Sequence, residues 1–230
     1  MPERLLSASF ARILMTFDLT PEQQSLVTRV RVAASAEPSA TSLRSLLEPG
    51  ALPTALLVEE VSLVNAGLGA QLGFGALGGA DTGTMLAMPG LLGSEAALAA
   101  VSVANHDRAR LVAAAVALGV GRAAVAHALA AMKAAGVRPG ADERAPHWVL
   151  ANAATELEAA RLLTYAAALA IDHSVAEAGT LVSRAKAFAA QAAEQAVDAA
   201  IRIEGPGGYV RGGVLERLNR DANTLSVILP

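Results

Sequence analysis

The stretch HWVLANAATELEAARLLTYAAALA, residues 147–170, decides the fold. It contains no glycine or proline and is built mainly from alanine and leucine, the residues that form helices most readily. A single long helix from His147 to about Ile171 follows. Upstream, HDRARLVAAAVALGVGRAAVAHALAAMKAAG (106–136) places Leu111, Ala115 and Leu118, then Val125, Leu129 and Met132, at alternating four- and three-residue steps, the mark of a helix with an apolar face. Between the two, GVRPGADERAP (136–146) carries two prolines and reads as a loop. Downstream, a helix from about Val175 to Ile203 carries a polar stripe at Arg184, Gln191, Gln195, Asp198 and Arg202. EGPGGY ends it, because glycine and proline do not continue a helix cheaply. A last short helix covers about 213–228, where Glu216, Arg217, Arg220 and Asp221 give way to an uncharged tail. Long helices joined by short loops make an up-down bundle. Their alanines allow close approach and leave flat faces suited to subunit packing.

Toward the N-terminus, LTPEQQSLVTRVRVAA opens a helix with Thr20 as N-cap, Pro21 at the first helical position and Gln23 completing a capping box. Met15 makes a natural start, so residues 1–16 read as an N-terminal extension, of which 1–14 need not belong to the native chain. A loop follows at 35–42, then a second helix in LPTALLVEEVSLVNAG (52–67). The run from Gly67 to Gly93 is glycine-rich and reads as a flexible connector. The expected organisation is an N-terminal helical region at 17–80, a short connector at 81–104 and a helical bundle at 105–230. The fold class is all-α with no β domain.

Composition narrows the function. Hydrophobic residues make up 53% of the chain, aromatics 3%, and net charge is −3, so the basic excess of a nucleic-acid binder is absent. With no cysteine, thiol nucleophiles and thiolate metal sites are excluded. The longest uncharged run, Val61–Ala80, holds six glycines with Asn65 and Gln71, a poor membrane span. No secretory signal is evident, and the expected location is the cytoplasm.

Candidate chemistry is sparse. GFGALG (Gly73, Gly75, Gly78) matches the dinucleotide spacing but lacks the preceding strand that motif needs. His106, His127, His147 and His173 show no metal-ligand spacing, so no metal site is expected. Glu156 and Glu158 point to different helix faces. Glu59 and Glu60 read as salt-bridge or surface carboxylates before they read as buried bases. Trp148 reads as a packing residue.

Three stretches, taken in order, resemble the acyl-CoA dehydrogenase family. HDRARLVAAAVALGVGRAAVAHALAAMKAAG (106–136) is similar to the helix that opens that family's C-terminal domain. LANAATELEAARLL within the next helix is close to the family's wording. AVDAAIRIEGPGGYVRGGVLERLNRDA (196–222) resembles the family's Gly-Gly-Tyr-Gly loop followed by Val-Glu-Arg-Leu and Arg-Asp-Ala. FDLTPEQQSLVTRVR also resembles the N-terminal helix. The resemblance implies helices, a β-barrel and a helical bundle that drives dimer or tetramer assembly. Here only about 30 glycine-rich residues separate the two helical parts, whereas a barrel needs on the order of a hundred. The family's Phe-Gly flavin loop is missing from KAAGVRPGADER, and its glutamine falls at or near Arg144.

The resemblance implies flavin contacts at Gly205, Gly207, Gly208 and Tyr209, with Arg138 and Arg144 nearby, and a CoA-contacting pair at Asp107 and Arg110. A helix N-terminal salt bridge explains that last pair equally well. The family's α-proton base falls at Leu229, or in some relatives near Ala109. Neither can accept a proton, and no catalytic residue is expected. The chain is therefore expected to be a non-catalytic or half-site partner in a heteromeric flavin-dependent complex. FAD is expected only at an interface with a full-length family subunit and not on the chain alone; acyl-CoA is the expected small ligand, and a role in lipid metabolism follows. Two other readings stand beside it. One is a repurposed flavin-independent enzyme on an acyl or polyketide-like chain, its pocket lined by His147, Arg138, Arg144 and Trp148. The other is a degenerate structural homo-oligomer.

Overall fold

The structure is a computed structural model, and it describes residues 19–36, 43, 45–46, 48–76, 106–136 and 144–228. Among the described residues there are seven α-helices: α1 (Pro21–Ala36), α2 (Ala51–Val64), α3 (Ala66–Ala76), α4 (His106–Ala134), α5 (Arg144–Asp172), α6 (Ala178–Glu204) and α7 (Val214–Val227). A 3-10 turn, Gly205–Tyr209, links the last two. Among the described residues there is no strand, so the all-α expectation holds. Helices α4 to α7 form the up-down bundle, with α6 packed on α4, α5 and α7, while α2 and α3 lie against α4.

The capping box that opens α1 forms as its residue types require. The Gln23 amide N–H donates to Thr20 Oγ1 at 3.3 Å and the Thr20 N–H donates to Gln23 Oε1 at 2.9 Å, satisfying two amides that the helix leaves without partners. Helix α2 is capped from far away. Asp172, the last residue of α5, accepts hydrogen bonds from the Ala51 and Leu52 amides at 2.7 and 3.0 Å. A carboxylate at a helix N-terminus gains from both the hydrogen bonds and the helix dipole.

Helix α4 is the axle of the core. From Ala109 to Gly121 it is buried almost all round, apart from Arg110; after Arg122 it surfaces on one side, and Leu129 faces solvent although its spacing placed it in the core. By length and composition α4 could cross a membrane, but 72% of its most apolar stretch is buried within the fold. It packs closely because its contact positions are small. A methyl group on Gly119 would lie 2.7 Å from the Glu59 carbonyl oxygen and 2.8 Å from the Leu63 nitrogen.

The same logic corrects the expected connector. Residues 66–76 form α3 rather than a flexible link, with Gly73 of the GFGALG run inside the helix. Glycines normally weaken a helix, yet Gly69 and Gly73 lie four apart on one face, and Gly73 has its would-be Cβ 2.5 Å from Val112 Cγ1 of α4. Close packing there replaces what propensity loses. Gly78 and the rest of the glycine-rich run lie outside the described residues. A second correction concerns α5, which starts at Arg144; Pro146 is tolerated because first-turn amides have no intrahelical acceptor.

Replacing Gly119 with alanine should push α2 off α4 and lower unfolding free energy by about 1–3 kcal/mol, read by urea denaturation. The Ser62 hydroxyl is buried without a hydrogen-bond partner, so Ser62→Ala at the same contact should be neutral or stabilising.

Candidate functional site

Two ends of the bundle and one interior cluster hold the residues of interest. At the first end, α6 stops where Gly205 takes φ 70°, a conformation in which only glycine is unstrained. The chain then makes the tight turn Gly205–Tyr209. Gly208 is buried, its would-be Cβ 3.2 Å from Ile201 Cα, whereas the space beside Gly205 is open and Gly207 meets only the Glu204 side chain. The backbone of this turn is therefore open to a ligand at Gly205 and Gly207. Tyr209 projects outward at 70% exposure. The carboxylate of Glu204 would oppose a phosphate here, but it is engaged by His127 Nε2 at 2.6 Å.

Trp148, on the first turns of α5, is 66% exposed. This corrects its reading as a packing residue: the tight alanine interior has no room for an indole. His147 is half-buried beside it. Arg138 lies outside the described residues, and so does the side chain of Arg144. A shallow groove of about 260 Å³ runs between α5 and α6, floored by Val149, Ala153 and Ala199 and rimmed by Glu156, Asp198 and Arg202. The five residues of the α6 polar stripe are all exposed, as their spacing implied.

At the opposite end, Asp107 and Arg110 occupy the first turns of α4. They form an ion pair at 3.7 Å, and Arg110 Nη1 also donates to Ser183 Oγ of α6 at 3.3 Å. Both readings of the pair remain structurally sound, because the contact is half-exposed and close to a helix N-terminus. Ala109 between them is fully buried. Leu229 lies outside the described residues. Among the described residues no three of His, Asp and Glu gather to hold a metal ion.

The cluster that the sequence hid sits inside. Glu59 of α2 has no exposed surface. It accepts hydrogen bonds from Arg122 Nη1 at 2.6 Å and Tyr165 Oη at 2.6 Å, and pairs with Arg161 Nε at 3.2 Å. Glu60 beside it takes Arg122 at 2.8 Å and Arg31 of α1 at 3.1 and 3.2 Å. Four helices thus meet in one ionic network. Burial pushes the Glu59 carboxyl above its usual range despite the two arginines. Burial also pushes Glu60 up, but the bonds from Arg31 and the charge of Arg122 overcome that and hold it low. Tyr165 is raised strongly by burial and by Glu59. With every Glu59 partner in place, the cluster is a structural junction. Its sequence signal was four charges, Glu59, Glu60, Arg122 and Arg161, set inside otherwise apolar helical runs.

The fold and these ends define an acyl-CoA dehydrogenase-like helical domain. Residues 99–228 match the family described as acyl-CoA dehydrogenase, C-terminal domain, and the chain belongs to the acyl-CoA dehydrogenase family. It is 40% identical over 120 residues to a 3-(aryl)acrylate reductase of Clostridium sporogenes, covering 51% of this chain and 32% of that protein. It is 37% identical over 139 residues to an acyl-CoA dehydrogenase of Bacillus subtilis, covering 60% and 36%. The chain thus spans about a third of the length of these relatives. A subunit of the caffeyl-CoA reductase-Etf complex of Acetobacterium woodii is 34% identical over 87 residues, covering 38% and 23%. Among solved structures, the glutaryl-coenzyme A dehydrogenase glutaryl-CoA complex superposes with a TM-score of 0.70 at 17% identity, covering 94% and 93%. That match shows the fold.

Removing one member of the interior cluster leaves the others buried and unpaired. Arg122→Met should therefore cost about 3–5 kcal/mol, whereas Arg31→Ala, at a side chain 58% exposed, should cost under about 1 kcal/mol; denaturant titration separates the two. Glu60 has a depressed folded-state pKa, so its stabilisation is complete above the ordinary value of 4.5 and is lost as pH falls through the folded value. Glu60→Gln should flatten that acid limb, measured as melting temperature against pH.

Proposed function

We propose that this chain is a non-catalytic or half-site subunit of a heteromeric, flavin-dependent acyl-CoA dehydrogenase complex. The observation that carries the reading is the pair of side chains at the two expected base positions. Ala109 is an apolar residue sealed inside α4, and residue 229 is leucine. Abstracting a proton beside a thioester needs a positioned base, and neither position supplies one. Residues 77–105 are also too few for the family's barrel.

In this reading a companion subunit provides the barrel, the base and FAD, whose flavin accepts the hydride. This chain supplies the bundle face and the Gly205–Tyr209 turn. The open backbone at Gly205 and Gly207 suits approach by the companion's cofactor phosphates, with Tyr209 alongside and Glu204 engaged by His127. Arg144, which opens α5 at this end of the bundle, is a further flavin contact in this reading, as is Arg138. Asp107 and Arg110 form the thioester-side surface, with an acyl-CoA as ligand, in a cytoplasmic complex of lipid metabolism. The likeness to a named Etf-complex subunit supports assembly with other chains.

The test is co-expression with a full-length family member, followed by affinity purification on this chain and visible absorption. A yellow complex that co-purifies, with the chain alone colourless, is the expected result. A flavin band on the chain alone would overturn the reading.

A further inference from the structure

Among the described residues Lys186 is the buried charged side chain that neither the ionic junction nor the candidate site uses. It lies on α6, one turn after Ser183, and is 5% exposed. Its Nζ donates to the Ser226 carbonyl oxygen at 3.2 Å. Ser226 is in the last turn of α7, where carbonyls lack partners within the helix and the dipole is negative. A cation there fills one of those vacancies. Lysine is rarely buried without a carboxylate, and among the described residues none lies within ion-pair distance of this one.

The surrounding charges are few. Helix α4 contributes Arg110, which repels Lys186, and Asp107, 3.7 Å from that guanidinium. On α6 the neighbouring Arg184 is exposed. On α7, Glu216, Arg217 and Arg220 act on Asp221 earlier in the helix. Burial and Arg110 together hold the Lys186 amine below the ordinary lysine value of 10.5.

We propose that Lys186 is a clasp built into the fold: by donating to the Ser226 carbonyl it holds the end of α7, Leu225–Ile228, docked on α6. The proposal goes beyond the assembly reading and does not depend on it. Proton linkage supplies a sign. When the turn is docked, Lys186 holds its proton less tightly than when the turn opens and the amine meets water. Rising pH therefore favours the docked turn. The neutral amine still has hydrogens to donate to the Ser226 carbonyl, so the clasp survives loss of the charge.

The experiment is residue-resolved amide hydrogen exchange on the full chain, corrected for intrinsic rates. Protection at Leu225–Ile228 is compared with that at Ala192–Ala200 of α6, in wild type, Lys186→Arg and Lys186→Met. Wild-type protection at the end of α7 should rise as pH increases toward the ordinary lysine value of 10.5, with α6 unchanged. Lys186→Arg, whose guanidinium keeps its charge throughout, should show no rise. Lys186→Met should lose about tenfold protection at neutral pH, only at the end of α7. Identical pH responses in wild type and Lys186→Arg, or full protection in Lys186→Met, would overturn the proposal. Should Lys186→Met fail to fold, the comparison of wild type with Lys186→Arg decides alone.

Discussion

One buried carboxylate sets how the two halves of this chain meet. Glu59 sits in an apolar stretch of α2, where an ionised group is costly unless it is paired and hydrogen-bonded. Its partners come from elsewhere: Arg122 on α4, and Arg161 and Tyr165 on α5. They converge only if α2 lies in one register on the bundle. Glu60 extends the constraint to α1 through Arg31. Such a junction favours one arrangement over its neighbours, since a shift by one turn would strand two or more charges. Alanine packing alone would tolerate several arrangements, because its contacts are small and alike.

Around that junction the fold relies on closeness. Gly119, Gly73 and Gly121 remove side chains where α2, α3, α5 and α6 approach α4. Asp172 ties the end of α5 to the start of α2. A bundle held this tightly presents its distinctive chemistry at its two ends. One end exposes Tyr209 and Trp148 beside an open glycine turn; the other gathers Asp107, Arg110 and Ser183 beneath the close of α7. In between, the outer face of α6 is largely polar, carrying Arg184, Gln191, Gln195, Asp198 and Arg202.

The sequence made visible whatever depends on neighbours along the chain. The capping box at Thr20 and Gln23, the long helices α4 to α6, the solvent stripe on α6 and the break at Gly205 are all local. What it hid depends on distant partners. The glycines of 66–76 read as breakers because their compensation, contact with Val112 and Ser62, comes from other helices. Trp148 read as core because its exclusion from the interior depends on how tightly the alanines pack. Glu59 could be suspected of a salt bridge, but its partners lie 63 and 106 positions away, beyond any periodicity. The candidate site divides the same way. The Gly205–Tyr209 turn and the Asp107–Arg110 pair were legible as motifs, while the Lys186 clasp depends on a carbonyl 40 residues downstream.

The central proposal is that this family bundle acts through assembly with a partner, because the positions expected to hold the reaction's base are apolar. Dehydrogenation of an acyl-CoA thioester by the purified chain, followed with an artificial electron acceptor and added FAD, tests it most directly. The account predicts no turnover by the chain alone and turnover when a full-length family partner is bound. Sustained desaturation by the isolated chain would contradict it.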